Sequence, residues 1–152
     1  MRIVIQRVSE ASVTIEGKVK DKIGRGLVIL LGVEDADTME DIHYLTYKLT
    51  RLRIFSDEEG KMNLPITDLT GARVMVISQF TLFAGTKKGN RPSYTRAARP
   101  EFAKMMYEIF VRQMEKELST KVASGIFGAD MKVALVNDGP VTIMMDSKDK
   151  DL

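Results

Sequence analysis

The order of apolar patterns along the chain predicts an α+β fold: a curved, largely antiparallel, barrel-like sheet with two main helices in a single domain. Three observations carry this. Strand-like stretches punctuated by turn residues occur near both ends and in the middle. Two stretches show apolar residues at helical spacing. The 152 residues contain no linker, repeat or low-complexity block that would separate a second domain. The domain is expected to span residues 1–146. Ser147 to Leu152 is polar and predicts a frayed tail.

Taken in order, Ile3 to Val8 reads as a strand, and Ala11 to Val19 as a hairpin turning at Glu16-Gly17, with Val13, Ile15 and Val19 as core residues. Gly24-Arg25-Gly26 lacks the third glycine of a dinucleotide-binding fingerprint and reads as a bend. Leu27 to Leu31 is apolar on both faces, the pattern of a central strand. Asp37-Thr38-Met39-Glu40 resembles a capping box, with Asp37 or Thr38 as the cap. The helix it opens carries Met39, Ile42, Leu45, Leu49 and Leu52 at helical spacing.

A polar turn at Ser56–Lys61 follows, then irregular chain through Asn63-Leu64-Pro65. The strand Val74–Ile77 delivers Ser78-Gln79-Phe80-Thr81 at its end. Pro100-Glu101 suits the first turn of a second helix, whose apolar face is Phe102, Met105, Met106, Ile109, Phe110 and Met114. That Met-rich stripe reads as core filling. Phe127, held between Gly125 and Gly128, either packs inward or walls a pocket. Met131–Val136 and Val141–Met145 read as final strands joined by a tight turn.

Composition excludes several chemistries. The chain has no cysteine, so disulfides, thiolate nucleophiles and Cys-based zinc sites are ruled out, and its single histidine argues against a His-rich metal site. No metal or organic cofactor is implied. The run Leu27–Leu31 is too short to cross a membrane, and Gln6-Arg7 interrupts any leader-like start, so the cytoplasm is the expected compartment. A net charge of +2 does not by itself imply nucleic-acid binding. Local clustering differs: Lys87, Lys88, Arg91, Arg96 and Arg99 fall within residues 85–100, where no acid occurs. That segment is either a solvated loop or a phosphate-contacting one. It is not a P-loop, because Gly85-Thr86-Lys87-Lys88-Gly89 lacks the terminal G-K-[ST].

Two stretches carry the candidate chemistry. Ser78-Gln79-Phe80-Thr81-Leu82, at a strand end, offers consecutive backbone N–H groups, hydroxyls and an amide, the donors an oxyanion needs. Thr81 as a covalent nucleophile would need an adjacent base. None is evident, since His43 reads as a surface residue. In Asn137-Asp138-Gly139-Pro140-Val141-Thr142, glycine tolerates positive φ and proline offers no donor. The stretch is an ordinary hairpin connection, or a surface of carbonyls able to hold an ammonium group or reject a carbon.

These two motifs in this order, with the opening Met1-Arg2-Ile3-Val4-Ile5-Gln6-Arg7-Val8, resemble the D-aminoacyl-tRNA deacylase family over about residues 1–146. The resemblance implies hydrolysis of the ester joining a D-amino acid, or glycine, to the 3′ end of tRNA. It implies no acyl-enzyme: backbone groups of Ser78, Gln79, Phe80 and Thr81 act with the substrate's own 2′-hydroxyl. Gly139 and Pro140, joined by a cis peptide bond, exclude L-amino acids and reach into the pocket of a second subunit, so a homodimer is implied. Asn137, Val141 and Thr142 shape that turn and Phe127 joins the substrate-binding set. The resemblance is less close around Tyr94-Thr95-Arg96, so Lys87, Lys88, Arg91 and Arg96 stay the candidate phosphate contacts on the second reading of their segment. Arg7 matches a position that holds the turn's carbonyls; its other reading is a strand arginine facing solvent. Two rivals stand beside this: an editor of a small L-aminoacyl-tRNA with relaxed chirality, and a non-catalytic tRNA-binding module.

Overall fold

The computed structural model describes residues 1–152, and its spine is the strand β1 (Arg2–Ile15). The hairpin turn falls at Glu16 and Gly17, both at positive φ (51° and 75°), as a two-residue turn matching strand twist requires. It leads into β2 (Lys18–Ile23), then β3 (Gly26–Gly32), and both pair antiparallel with β1. After helix α1 (Met39–Arg51) come the small hairpin β4 (Phe55–Ser56) and β5 (Met62–Leu64), and β6 (Arg73–Ser78). Helix α2 (Pro100–Leu118), β7 (Ala123–Ser124) and β8 (Lys132–Asp146) complete the chain.

The sheet order is β2-β1-β3-β6-β7, with β8 on the other side of β1. Three pairings are antiparallel, but β6 runs parallel to β3 and β7 parallel to β6. The sheet is therefore mixed, because a return from β3 through α1 is long enough for a crossover. It is nearly closed into a barrel. At the two edges, the Ser124 N–H of β7 donates to the Asp21 carboxylate of β2 at 3.2 Å, and the Arg73 guanidinium donates to the Lys22 carbonyl at 3.4 Å.

Alternation along the strands builds two cores. Ile3, Ile5, Leu27, Ile29, Leu31, Val74 and Val76 face the helices, meeting Ile42, Leu45 and Leu49 of α1 and Met106, Phe110 and Met114 of α2. Val8, Val13, Ile23, Val28, Met75 and Ile77 fill the opposite face. β3 is thus buried on both sides, as its sequence predicts. Of the expected core residues, Ile15 is only half-buried at the hairpin and three are exposed. Val19 is 60 % exposed on the edge strand β2, and Met39 is 44 % exposed as the first residue of its helix. Met105 is 47 % exposed because Ala103 and Tyr107, not it, complete the buried stripe of α2. No helix is long and apolar enough to cross a membrane.

The termini are fastened together. Thr38 is the cap of α1, and Asp41 closes the box by accepting from the Thr38 N–H at 2.7 Å. Asp37, the other candidate cap, pairs instead with the buried Met1 ammonium. That ammonium also donates to Ser147 Oγ at 2.9 Å, and Lys148 Nζ reaches Asp41 at 2.8 Å. Burial pushes the Asp41 carboxyl up, yet Lys148, Ser147 and the Thr38 amide together hold it well below the usual carboxylate range. The expected frayed tail therefore does not begin at Ser147: Ser147 and Lys148 meet buried partners, while Asp149 to Leu152 are exposed.

Gly26 has no room for a side chain. A Cβ there would lie 1.7 Å from the Arg73 carbonyl oxygen, which belongs to the strand paired with it. Replacing Gly26 by alanine is expected to cost more than about 4 kcal/mol or to prevent folding. The same change at Gly24, where nothing lies within 4 Å, should be nearly silent. Urea denaturation of the two variants checks this.

Candidate active site

The chain turns a corner at the end of β6. Gln79 N–H donates to the Leu31 carbonyl at 2.7 Å, which pins the corner to β3. A 3-10 turn, Phe80–Phe83, follows directly. The amides of Phe80 and Thr81 open that turn and so have no partner inside it. The Gln79 side-chain amide donates to the Thr81 hydroxyl. No carboxylate, imidazole or lysine amine bonds to Thr81, and His43 is exposed on α1.

This corner opens onto a cavity of about 700 Å³. Ser78, Gln79 and Phe80 form one wall, Phe127, Met131 and Val133 another, and the start of α2 a third. Phe127 both walls the cavity and packs inward, its ring centroid 6.1 Å from that of Tyr107. Tyr107 is a fixed support: its hydroxyl donates to the Val76 carbonyl at 2.8 Å, and burial pushes its pKa up to about 12, so it stays protonated. At the mouth, the Phe80 and Tyr94 rings meet edge to face, 5.1 Å apart.

The second motif does not form the hairpin connection its residues suggest. β8 runs the whole length of β1, so the two apolar runs lie end to end along one partner and do not pair with each other. Gln6 sits opposite Thr142 and Val8 opposite Asn137. Two steps on β1 (6 to 8) face five on β8 (142 to 137), which leaves three extra residues thrown out as a bulge opposite Arg7. The physical reason is that β1 is long enough to pair with both runs, while a Gly-Pro step supplies no ladder donor at proline.

The bulge is tightly held. Arg7 is 8 % exposed, not solvent-facing. Its Nε donates to the Asp138 carbonyl at 3.0 Å, and its Nη1 donates to the Ile54 carbonyl at 2.6 Å. Asn137 closes the neck, accepting from Val141 N–H at 3.1 Å and donating to Thr142 Oγ1 at 2.8 Å. The Gly139–Pro140 peptide is cis, and Gly139 has φ +129°. A Cβ on Gly139 would stand 2.9 Å from both Arg7 Nη2 and Val141 Cγ2.

The expected site residues thus gather in two places. Ser78, Gln79, Phe80 and Phe127 line the cavity, with Thr81 behind Gln79 in the adjoining 3-10 turn, while Arg7, Asn137, Gly139, Pro140, Val141 and Thr142 meet at the bulge. Ser78 lies opposite Leu31, and Leu31 opposite Ile3, whereas the bulge faces Arg7. Three inter-strand spacings (~14 Å) and four residues along the strands (~13 Å) separate them on the sheet. Of the basic residues, Lys87, Lys88 and Arg91 are exposed, with no carboxylate within salt-bridge reach. Arg96 is partly engaged, 3.4 Å from Glu34 and over the Phe83 ring. Tyr94, Met131 and the Ile54 carbonyl were not singled out in the sequence. An aromatic inside the basic stretch was the one available signal; a backbone carbonyl from a distant loop leaves none.

The family model for D-Tyr-tRNA(Tyr) deacylase matches residues 4–146. The D-aminoacyl-tRNA deacylase of Flavobacterium johnsoniae is 59 % identical over 151 residues, covering 99 % of this chain and 100 % of the relative. That of Bacteroides thetaiotaomicron is 56 % identical with the same coverage. Among solved structures, a "c-Myc DNA Unwinding Element Binding Protein" superposes with a TM-score of 0.89 at 38 % identity, covering 96 % of this chain and 98 % of the other. A probable eukaryotic D-amino acid tRNA deacylase, at 17 % identity and TM-score 0.82 over 95 % and 97 % of the two chains, shares the fold. With matches spanning nearly its whole length, the chain belongs to the D-Tyr-tRNA(Tyr) deacylase family of hydrolases.

Proposed function

We propose that this protein hydrolyses the ester of D-aminoacyl-tRNA, and of glycyl-tRNA, releasing free tRNA and the amino acid. The observation that carries this reading is the bulge at Gly139–Pro140: a carbonyl-bearing turn, fixed by Arg7 and Asn137, that its own chain cannot bring to its own amide corner. A second copy supplies it. In the homodimer, each turn enters the partner's cavity and each cavity is completed by the other chain.

The chemistry follows from the two halves. The cavity takes the terminal nucleoside with its esterified amino acid, a load suited to about 700 Å³. Water attacks the ester carbonyl carbon, and the N–H groups at Phe80 and Thr81 receive the developing oxyanion; one such donor is worth ~10²–10³ in rate. The carbon–oxygen bond to the ribose then breaks. The substrate's 2′-hydroxyl relays the water proton to the departing 3′-oxygen, so no side-chain base is needed. Lys87, Lys88 and Arg91 hold phosphates, and Arg96 joins them by leaving Glu34.

Handedness is judged by main-chain atoms. Carbonyls of the turn stand against one side of the substrate α-carbon, so an L side chain collides with backbone and a D side chain points away. Rejection by ~10³ needs about 4 kcal/mol, within reach of a steric clash on a fixed backbone. Glycine carries nothing to reject and is admitted.

The test is a matched assay of D-tyrosyl-, L-tyrosyl- and glycyl-tRNA cleavage at pH 7. Rapid release from the D and glycyl substrates and at least ~10³-fold slower release from the L form is expected. Cleavage of small L-aminoacyl-tRNA at a comparable rate would instead make it an editor of relaxed chirality. Equal affinity for charged and uncharged tRNA with no amino acid released would leave a binding module.

Replacing Thr81 by valine should lower kcat by less than about tenfold, because the proposed donors are amides and no base serves its hydroxyl. A trapped ester on Thr81 in the unaltered protein would overturn that mechanism.

A further inference from the structure

We infer that Phe80 and Tyr94 form a stacking shelf for the base of the penultimate nucleotide, at the mouth of the cavity that takes the terminal one. This deepens the proposed deacylation and rests on it for the identity of the strand. Both rings are large and solvent-open, Phe80 at 56 % and Tyr94 at 40 % exposure. Their planes cross at 77°, so one ring meets the other with its edge and a full π-face stays open. The backbone beneath Tyr94 is fixed, since Ala97 N–H donates to the Tyr94 carbonyl at 3.0 Å. Two exposed aromatics in mutual contact offer a stacking surface, and the charge around this pair says for what kind of partner. Residues 85–100 carry five cations and no acid, and Lys87, Lys88 and Arg91 have no carboxylate partner.

An aromatic pair set among free cations fits an unpaired nucleic-acid strand: bases stack on rings while ammonium and guanidinium groups follow the phosphates. The cavity fixes the position, because both rings line it and are still 40–56 % exposed, so the pair sits where the wall meets solvent. A strand whose last nucleoside fills the cavity must leave across this pair. Stacking is tolerant of base identity, so the shelf contributes affinity for the strand without reading its sequence.

The experiment compares two substrates, D-tyrosyl-tRNA and the minimal 3′-D-tyrosyl-adenosine, which lacks the penultimate base. In Tyr94→Ala the ratio of kcat/KM for tRNA over the minimal ester should fall, by about fivefold to 150-fold. Tyr94→Phe, which keeps the ring, should restore it. A ratio unmoved by Tyr94→Ala, or an equal loss on both substrates, overturns the shelf. A binding arm separates this from the deacylation reading: an uncharged RNA ending in CCA is titrated against adenosine. If the unaltered protein cleaves neither ester yet loses its preference for the oligonucleotide in Tyr94→Ala, the shelf stands and deacylation falls.

Discussion

Everything distinctive about this molecule depends on one buried guanidinium. Arg7 spans the gap between the Asp138 carbonyl of the bulge and the Ile54 carbonyl of the segment before β4, donating to both from different nitrogens. Burying such a cation is costly unless its donors are used. Here a fixed planar fork uses two of them on backbone oxygens, and the Asp138 carboxylate lies 3.6 Å away. Lysine has donors enough but only one flexible nitrogen, and lacks the rigid fork that meets these carbonyls from two separate nitrogens. The turn proposed to meet the substrate is thus fastened from outside the Gly-Pro step, by Arg7 and by Asn137 at its neck.

The rest of the fold serves to hold that fastening and its counterpart at fixed places. β1 supplies Arg7 and pairs with three strands, so both runs of β8 are registered on a single template. The parallel β3–β6 pair, with Gly26 allowing close approach to Arg73, carries the amide corner to the far end of the sheet. Tying the Met1 ammonium to Asp37 and Ser147 fastens the start of β1 to the end of β8 and to the approach to α1. Corner and turn are each rigid, and they are kept apart within one chain.

Much of this was legible in the sequence. The two-sided apolar run at Leu27–Leu31 gave away a central strand, and Thr38 with its early acids marked the start of α1. The corner at Ser78–Thr81 followed from a buried strand ending in polar residues. What failed, failed for tertiary reasons. Turn chemistry at Asn137–Pro140 is the same whether the flanking runs fold back on each other or lie along a third strand, and only the length of β1 decides. Val19, Met39 and Met105 share the hydropathy of core residues, but position at an edge, a helix start or a stripe's flank leaves them in solvent. The burial of Arg7 depends on a carbonyl 47 residues away, which no local pattern encodes.

The claim that one chain's turn completes the other chain's pocket is tested most directly by mixing two damaged subunits. Gly139→Val spoils the turn, since a side chain there meets Arg7 and Val141. Phe80→Pro deletes one corner amide at a helix-start position that proline tolerates. Each alone should be nearly inactive on D-tyrosyl-tRNA. Unfolded together, mixed equally and refolded, they should recover roughly a quarter of the unaltered activity, because half the dimers are mixed and each has one intact site. No recovery, with mixed dimers demonstrably formed, would contradict the account.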